Sequence, residues 1–381
     1  MSYFNNAGAS LCADNVLEAQ IKYLQREHEI GAYAAAAEYK EELNAFYSNC
    51  AKLLNCGADE IAFVDSASRG WNIVIHGLPL KENDLLITLD TEFGTNLIVL
   101  KQFAMLKNCR LEVIKTNEDG SFDLSVLENL LKNNKDCKVA VCLSQAVAQG
   151  SICYPVVEIG KLVKKYHALF VVDGCQSIGQ MEADVQLMQC DAIMTSGRKW
   201  LRGPRGSGVL YVRKGSGIEP LFLDLATSDL DLDKDNNIKG LITRSDGKRY
   251  EMWERSFAAQ LGLAIAVKNY LDNNPSQLNA LLKKKAQAIR EAVFANPKFI
   301  TIGSRVSDSA ITGFYLQNKE TEDDFKTYMN KNGVSLSYMS DWDFPLTFKK
   351  DLGISNSVRI APSYFTNDQD IDYLIKLLKA Y

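Results

Sequence analysis

Asp173, Ser196, Arg198 and Lys199 are the residues of this chain whose types and spacing suit covalent chemistry. Asp173 closes one short apolar run, Leu169–Val172, and the other three follow a second, Ala192–Met194. A third run, Val209–Val212, comes after a stretch broken by Gly203, Pro204, Gly206 and Gly208. Runs of that length bounded by Gly and Asp predict buried strands rather than helices. A carboxylate, a hydroxyl, a guanidinium and an amine thus collect at strand ends, where open α/β sheets seat their ligands. Singly, an Asp or Lys at a strand end is a surface charge; the set points to a site.

Asp-Gly-Cys-Gln-Ser at 173–177, Ser-Gly-Arg-Lys-Trp at 196–200 and Gly-Pro-Arg-Gly-Ser-Gly at 203–208 together resemble the core of the class V aminotransferases. These pyridoxal-phosphate (PLP) enzymes include cysteine desulfurases, selenocysteine lyases, kynureninases, isopenicillin N epimerases and C–S lyases. The resemblance implies fold type I, an α/β architecture whose large domain holds a mostly parallel sheet with one antiparallel strand, beside a smaller α+β C-terminal domain. It also implies that Lys199 holds PLP as a Schiff base, which requires an amine neutral often enough to react. Asp173 would pair with the pyridine nitrogen and keep it protonated, so that the ring takes up carbanion charge. Gln176 would reach the ring hydroxyl, while Ser196 and Arg198 would hold the phosphate. The family usually has His where Arg198 stands; Arg keeps a permanent charge and offers a fork to phosphate.

Further segments extend the likeness. The polar turn Asp65–Gly70 lies between an apolar run and a helical pattern, and free N–H groups at such a helix start favour phosphate. Ser66 or Ser68 would also serve there as an N-cap. The family binds the PLP phosphate at the matching turn, which selects Ala67 and Ser68. Glu-Phe-Gly-Thr-Asn at 92–96 resembles the family's Glu-Phe-Pro-Ser-Asn form, in which the aromatic stacks on the pyridine. Desulfurases have His at the position of Phe93, so here proton traffic would fall to Lys199. The opening Asn-Asn-Ala-Gly, 5–8, resembles a segment near the substrate carboxylate and nominates Asn6. Ser357–Pro362 with Tyr364 and Asn367 resembles the family's ending, in which Arg359 would be the fork for the substrate's α-carboxylate. Two departures stand out: Ala148 replaces a small polar residue and Gln145 replaces His, leaving Gln145 or Gln149 as a substitute. Arg249–Glu254 lies where relatives reach across a dimer interface, which implies a homodimer with the site near that interface; Trp253 there is either a core anchor or an interface residue.

Positioning these residues falls to alternating strands and helices. The spacing predicts helices over 15–30, 34–54, 97–107, 124–133, 156–166 and 256–271, and one ending near Gly77. Strands are predicted over 60–64, 84–89, 110–115 and 138–143. Strand–helix alternation of this kind builds a sheet covered by helices on both faces. Asp229–Gly240, acidic and polar, reads as a solvated loop, and it lacks the glycine and terminal Glu of a calcium loop. Asn273-Asn-Pro275 marks a boundary, dividing a large unit, 16–272, from a small one, 1–15 plus 273–381. The small unit carries predicted helices over 276–295, 321–332 and 367–380 and strands near 299–302 and 311–316. Tyr338, Asp341, Trp342 and Phe344 there either line a substrate pocket or pack against the large unit.

The bulk composition is that of an ordinary soluble globular chain. Of 381 residues, 46% are hydrophobic and 24% charged, enough for a sizeable core. A net charge of −4 gives no case for nucleic acid or an anionic membrane. No apolar run approaches membrane-span length, and the first residues lack the pattern of a secretory signal, so the expected location is cytoplasmic. Nine cysteines without paired metal spacing argue against both a disulfide framework and a metal site.

PLP labilises bonds at the α-carbon of an amino acid, so the core motif leaves the reaction open. Desulfurases carry a nucleophilic Cys shortly before the carboxylate-binding Arg, whereas 333–359 contains no thiol. Without it a persulfide relay lacks its acceptor. A C–S lyase, an aminotransferase and an epimerase remain, and the 92–96 and 249–254 segments look most like the epimerase and C–S lyase branch, which favours a C–S lyase. A catalytically silent binding or regulatory homologue is the non-enzyme alternative; retention of Lys199 and Asp173 speaks against it.

Overall fold

The computed structural model describes all residues, 1–381. Seven strands form the main sheet: β1 (Ile61–Val64), β2 (Leu85–Leu89), β3 (Arg110–Ile114), β4 (Val139–Ser144), β5 (Leu169–Asp173), β6 (Ala192–Ser196) and β7 (Gly208–Val212). Their spatial order is β1-β7-β6-β5-β4-β2-β3, and only β7 runs antiparallel to its neighbours. The tight Ser196-to-Gly208 connection forces that reversal, because a parallel return needs a crossover of a dozen or more residues.

Side-chain alternation puts a core on each face. Along β1, Ile61 and Phe63 join one apolar cluster while Ala62 and Val64 join another; on β2, Leu85, Ile87 and Leu89 oppose Leu86 in the same way. A sheet buried on both faces needs apolar residues at every position, which is why these strands read as continuous runs rather than alternating ones.

The small unit is a four-stranded antiparallel sheet ordered Ile300–Ile302, Thr312–Tyr315, Ser357–Ile360 and Ser337–Met339. Phe299, Phe314, Phe325, Val358 and Leu374 pack beneath it against the helices Pro275–Ala295, Lys319–Lys331 and Asp368–Ala380. With Val358 and Ile360 committed to that core, the period of two turns Arg359 to the opposite face. The chain's start belongs with this unit by pairing, since Ser2 and Tyr3 run parallel to Val334 and Ser335.

Two expectations fail. The pattern over 34–54 forms two helices, Ala32–Glu38 and Lys40–Leu54, parted at Tyr39. The expected loop 229–240 is largely an antiparallel hairpin, Ser228–Leu232 with Ile238–Thr243. Its Asp-Leu alternation has the period of a strand, but most of its residues are exposed, so no buried run marked it. No helix is long and apolar enough to cross a membrane.

Candidate functional site

Lys199 sits on a turn held by its neighbours. After β6 the chain folds back, with Gly197 N donating to Ser207 O at 2.8 Å, Gly203 N to Gly197 O at 2.8 Å and Arg202 N to Lys199 O at 3.0 Å. Trp200 is buried and its Nε1 donates to Gln176 Oε1 at 2.9 Å. Arg198 O accepts from Ser10 N at 2.8 Å, so the N-terminal segment braces the same turn. The lysine side chain lines a cavity of about 240 Å³ between the two units.

Of the ten residues to which the resemblance gives a cofactor or substrate role, nine line that cavity: Ala67, Ser68, Phe93, Asp173, Gln176, Ser196, Arg198, Lys199 and Arg359. Asn6 does not. It is fully buried, its Nδ2 donates to Ala361 O at 2.8 Å, and Ala7 and Gly8 reach the cavity instead.

The helix Ala67–His76 begins directly after β1 and its turn, capped by Ser66, whose Oγ accepts from Arg69 N at 3.2 Å. Ala67 N donates to Ser196 Oγ at 3.2 Å, which ties the helix start to the end of β6. With Arg198 on the same wall, this corner suits an anion. Burial, then the neighbouring Arg205, lowers the Arg198 pKa.

Asp173 ends β5. Its Oδ1 accepts from Cys175 N at 2.8 Å and its Oδ2 from Asn96 Nδ2 at 2.7 Å, so the carboxylate is fixed at the cavity wall. Asn96 also donates to Glu92 Oε1 at 2.9 Å. Glu92 is buried, and that burial, reinforced by the Asp173 charge, pushes its pKa up to about 7. The Phe93 ring meets Phe344 edge-on at 6.0 Å. Gln176 Nε2 donates to Ala7 O at 3.1 Å, leaving one of its hydrogens free.

From the small unit, Arg359 enters with burial that pulls its pKa down to about 10. Its Nη1 donates to Ala148 O at 3.2 Å and its Nη2 to Ser337 Oγ at 3.1 Å, while the buried Nε has no partner. A buried guanidinium satisfied only by neutral oxygens retains capacity for a carboxylate.

Several details differ from expectation. Gln149 donates to Tyr315 Oη at 2.7 Å, away from the cavity, and Gln145 does not line it either; Ser144, Ala146, Val147 and Ala148 form that wall. Phe344 lines the cavity, joined by Met339 and Asp343, whereas Trp342 is 88% exposed and Asp341 pairs with Lys350 at 3.1 Å. Tyr338 lies under Lys326. Arg249 pairs with Glu219 of its own chain. Sequence reasoning missed Glu92 and Asn96; their i, i+4 spacing at a helix start was the available signal. No cluster of His, Cys, Asp and Glu is placed to hold a metal.

An anion-favouring helix start, a strand-end carboxylate, an amine and an aromatic face around one space fit PLP, and the under-satisfied Arg359 fits an amino-acid carboxylate beside it.

Comparison with known proteins agrees. The aminotransferase class-V family model matches residues 2–374. A probable cysteine desulfurase of Pyrococcus abyssi is 29% identical over 301 residues, covering 76% of this chain and 73% of its own. The apo structure of a cysteine desulfurase from Thermococcus onnurineus superposes with a TM-score of 0.86 at 23% identity, covering 100% of this chain and 94% of that one. The cystine C–S lyase C-DES, solved with its reaction product cysteine persulfide, gives 0.85 at 18% identity, covering 100% and 97%. Fold, cavity and a match over nearly the whole length converge: this chain belongs to the class-V aminotransferases and is a PLP-dependent enzyme of α/β fold type I.

Proposed function

We propose that the enzyme is a C–S lyase that eliminates the sulfur substituent from Cβ of a cysteine conjugate or sulfoxide, without a persulfide-forming cysteine. PLP, when bound, supplies an electron sink for charge that develops at the substrate α-carbon. Lys199 anchors the cofactor and moves the α-proton. Asp173 would hold the ring-nitrogen proton, Phe93 would offer its face to the ring, and the free Gln176 N–H would be available to the ring hydroxyl. Ser196, Arg198 and the helix start at Ala67 and Ser68 bind the phosphate. Arg359 grips the α-carboxylate, and Asn6 holds the N-terminal segment that closes that side.

The observation that carries the choice of reaction is the loop facing the cavity. Ser340–Phe344 places Asp343 and Phe344 at the wall and offers no thiol. The cavity's one cysteine, Cys175, is buried, and burial raises its pKa, which leaves it a poor nucleophile.

A homodimer belongs to the same reading. Tyr33, Leu225 and Trp253 are 79%, 85% and 53% exposed and lie around one surface hollow that they share with charged residues such as Glu27, Arg244 and Glu254, the mixed composition of a protein–protein interface. The division into 16–272 and 1–15 plus 273–381 is supported by the separate sheets and by the Ser2–Val334 pairing.

The test is a panel of amino acids and cysteine conjugates assayed for pyruvate, for keto acid and for α-proton exchange. Pyruvate from a thioether, retained after cysteine alkylation, is the expected result. Keto acid alone, or exchange without net product, contradicts it and selects an aminotransferase or an epimerase.

A further inference from the structure

Glu92 is the one acid behind the cavity that the proposed chemistry leaves unused. It sits 1% exposed and accepts from four donors: Phe93 N at 2.9 Å, Asn96 Nδ2 at 2.9 Å and Ser144 Oγ at 2.6 Å on Oε1, and Ser144 N at 2.7 Å on Oε2. Three of the four are N–H groups, which can only donate, and donors of that kind favour the ionised carboxylate against its burial. Asn96 spends the two hydrogens of one amide nitrogen on two acids, Glu92 and Asp173. Two carboxylates linked this way, one of them fully buried, repel one another.

We infer that Glu92 is a positioning residue behind Asp173: through Asn96 it fixes the Asp173 carboxylate and adds the second negative charge that holds a proton on the cofactor's ring nitrogen. The inference rests on the reading of Lys199 and Asp173 above. The charge balance supports it. Burial and the Asp173 charge together push Glu92 up to about 7. A pyridinium against Asp173 would relieve that repulsion and favour the ionised form of Glu92. Tyr154 and Cys142, the other titratable groups that feel the Glu92 charge, are both kept neutral by burial. The four donors offset part of the desolvation that would otherwise keep Glu92 protonated. Asn96 therefore has a definite orientation, with its nitrogen toward both acids, and Asp at that position would add a third negative charge.

The test loads wild type, Glu92→Gln and Asn96→Ala with PLP labelled with nitrogen-15 in the ring, and follows the ring-nitrogen resonance as pH is raised. Removing the Glu92 charge is expected to lower the deprotonation midpoint by about one pH unit or more, a tenfold change, with a smaller shift in the same direction for Asn96→Ala. Wild type supplies a reading that needs no variant: the carboxylic-acid infrared band of the free protein near neutral pH disappears on loading. An unmoved ring nitrogen in a variant that carries PLP on Lys199, or an infrared band that persists on loading, overturns this inference and leaves the site reading intact. Failure of borohydride to fix PLP on Lys199 in wild type sinks both.

Discussion

The amide of Gly94 donates to the carbonyl oxygen of Asp343 at 2.7 Å, stitching the start of the helix behind Phe93 to the small-unit loop that faces the cavity. There is no room for a side chain at this seam: a Cβ on Gly94 would lie 2.1 Å from Trp342 O. Gly94→Ala therefore displaces the loop, which carries Asp343 and Phe344, and overpacking of this kind costs about 1–3 kcal/mol when it is not relieved. The expected outcome is a KM raised roughly tenfold, with faster proteolysis within 340–350 and unchanged PLP retention. Steady-state kinetics and limited proteolysis check it; an unchanged KM would mean that the loop does not shape the substrate pocket.

Arg359→Lys separates charge from geometry. A lysine keeps the cation and loses the fork, and a hydrogen bond to a charged group is worth about 1.5–3 kcal/mol, so KM is expected to rise roughly 10- to 100-fold. Burial already draws the arginine down to about 10, and the same burial acts on a lysine that starts about two units lower. The variant's KM should therefore worsen further as pH rises from about 7 to 9 while the wild type's does not; parallel profiles would place the carboxylate elsewhere.

The strands that bring the candidate residues together were legible in the sequence. The runs 169–172, 192–194 and 209–212 read clearly as strands because a mostly parallel sheet buried on both faces leaves few polar positions to blur the pattern. Residues that close such strands, Asp173 and Ser196, fall at the ligand edge by topology alone. What was not legible depends on long-range packing. Asn6 reads as a pocket residue, yet it lies behind the cavity wall with its Nδ2 donating to Ala361 O. Gln149 reads as a substitute for a lost polar contact and is drawn off by Tyr315, a residue far along the chain. Asp343 carries no local motif, and only the docking of its loop on Gly94 brings it to the wall. The Ser228–Thr243 hairpin escaped because strands exposed on both faces lack the apolar run that identifies buried ones.

Asp173→Asn removes the fixed charge opposite the ring nitrogen. Loss of one preorganised electrostatic partner costs about 100- to 1000-fold in turnover. The expected loss is in kcat, with the substrate carboxylate still held by Arg359 and KM nearly unchanged. A variant within about threefold of wild type would show that Asp173 is not the ring's partner.

Stability of the PLP-free protein should carry a signature of Glu92. Its pKa rises from 4.5 when unfolded to about 7 when folded, chiefly through burial. A raised acid contributes its stability in full below the unfolded value and loses it as pH climbs through the folded one. Wild type is therefore expected to lose melting temperature relative to Glu92→Gln between about pH 4.5 and 7. Melting curves across that range read the difference; a constant gap would mean that folding does not raise the Glu92 pKa.

The most direct measurement is a mass. Borohydride reduction of the PLP-loaded enzyme, followed by digestion and peptide sequencing by mass spectrometry, should place the pyridoxyl group on Lys199 and abolish it in Lys199→Ala. A pyridoxyl group on any other lysine, or a Lys199→Ala enzyme with undiminished turnover, would contradict the account.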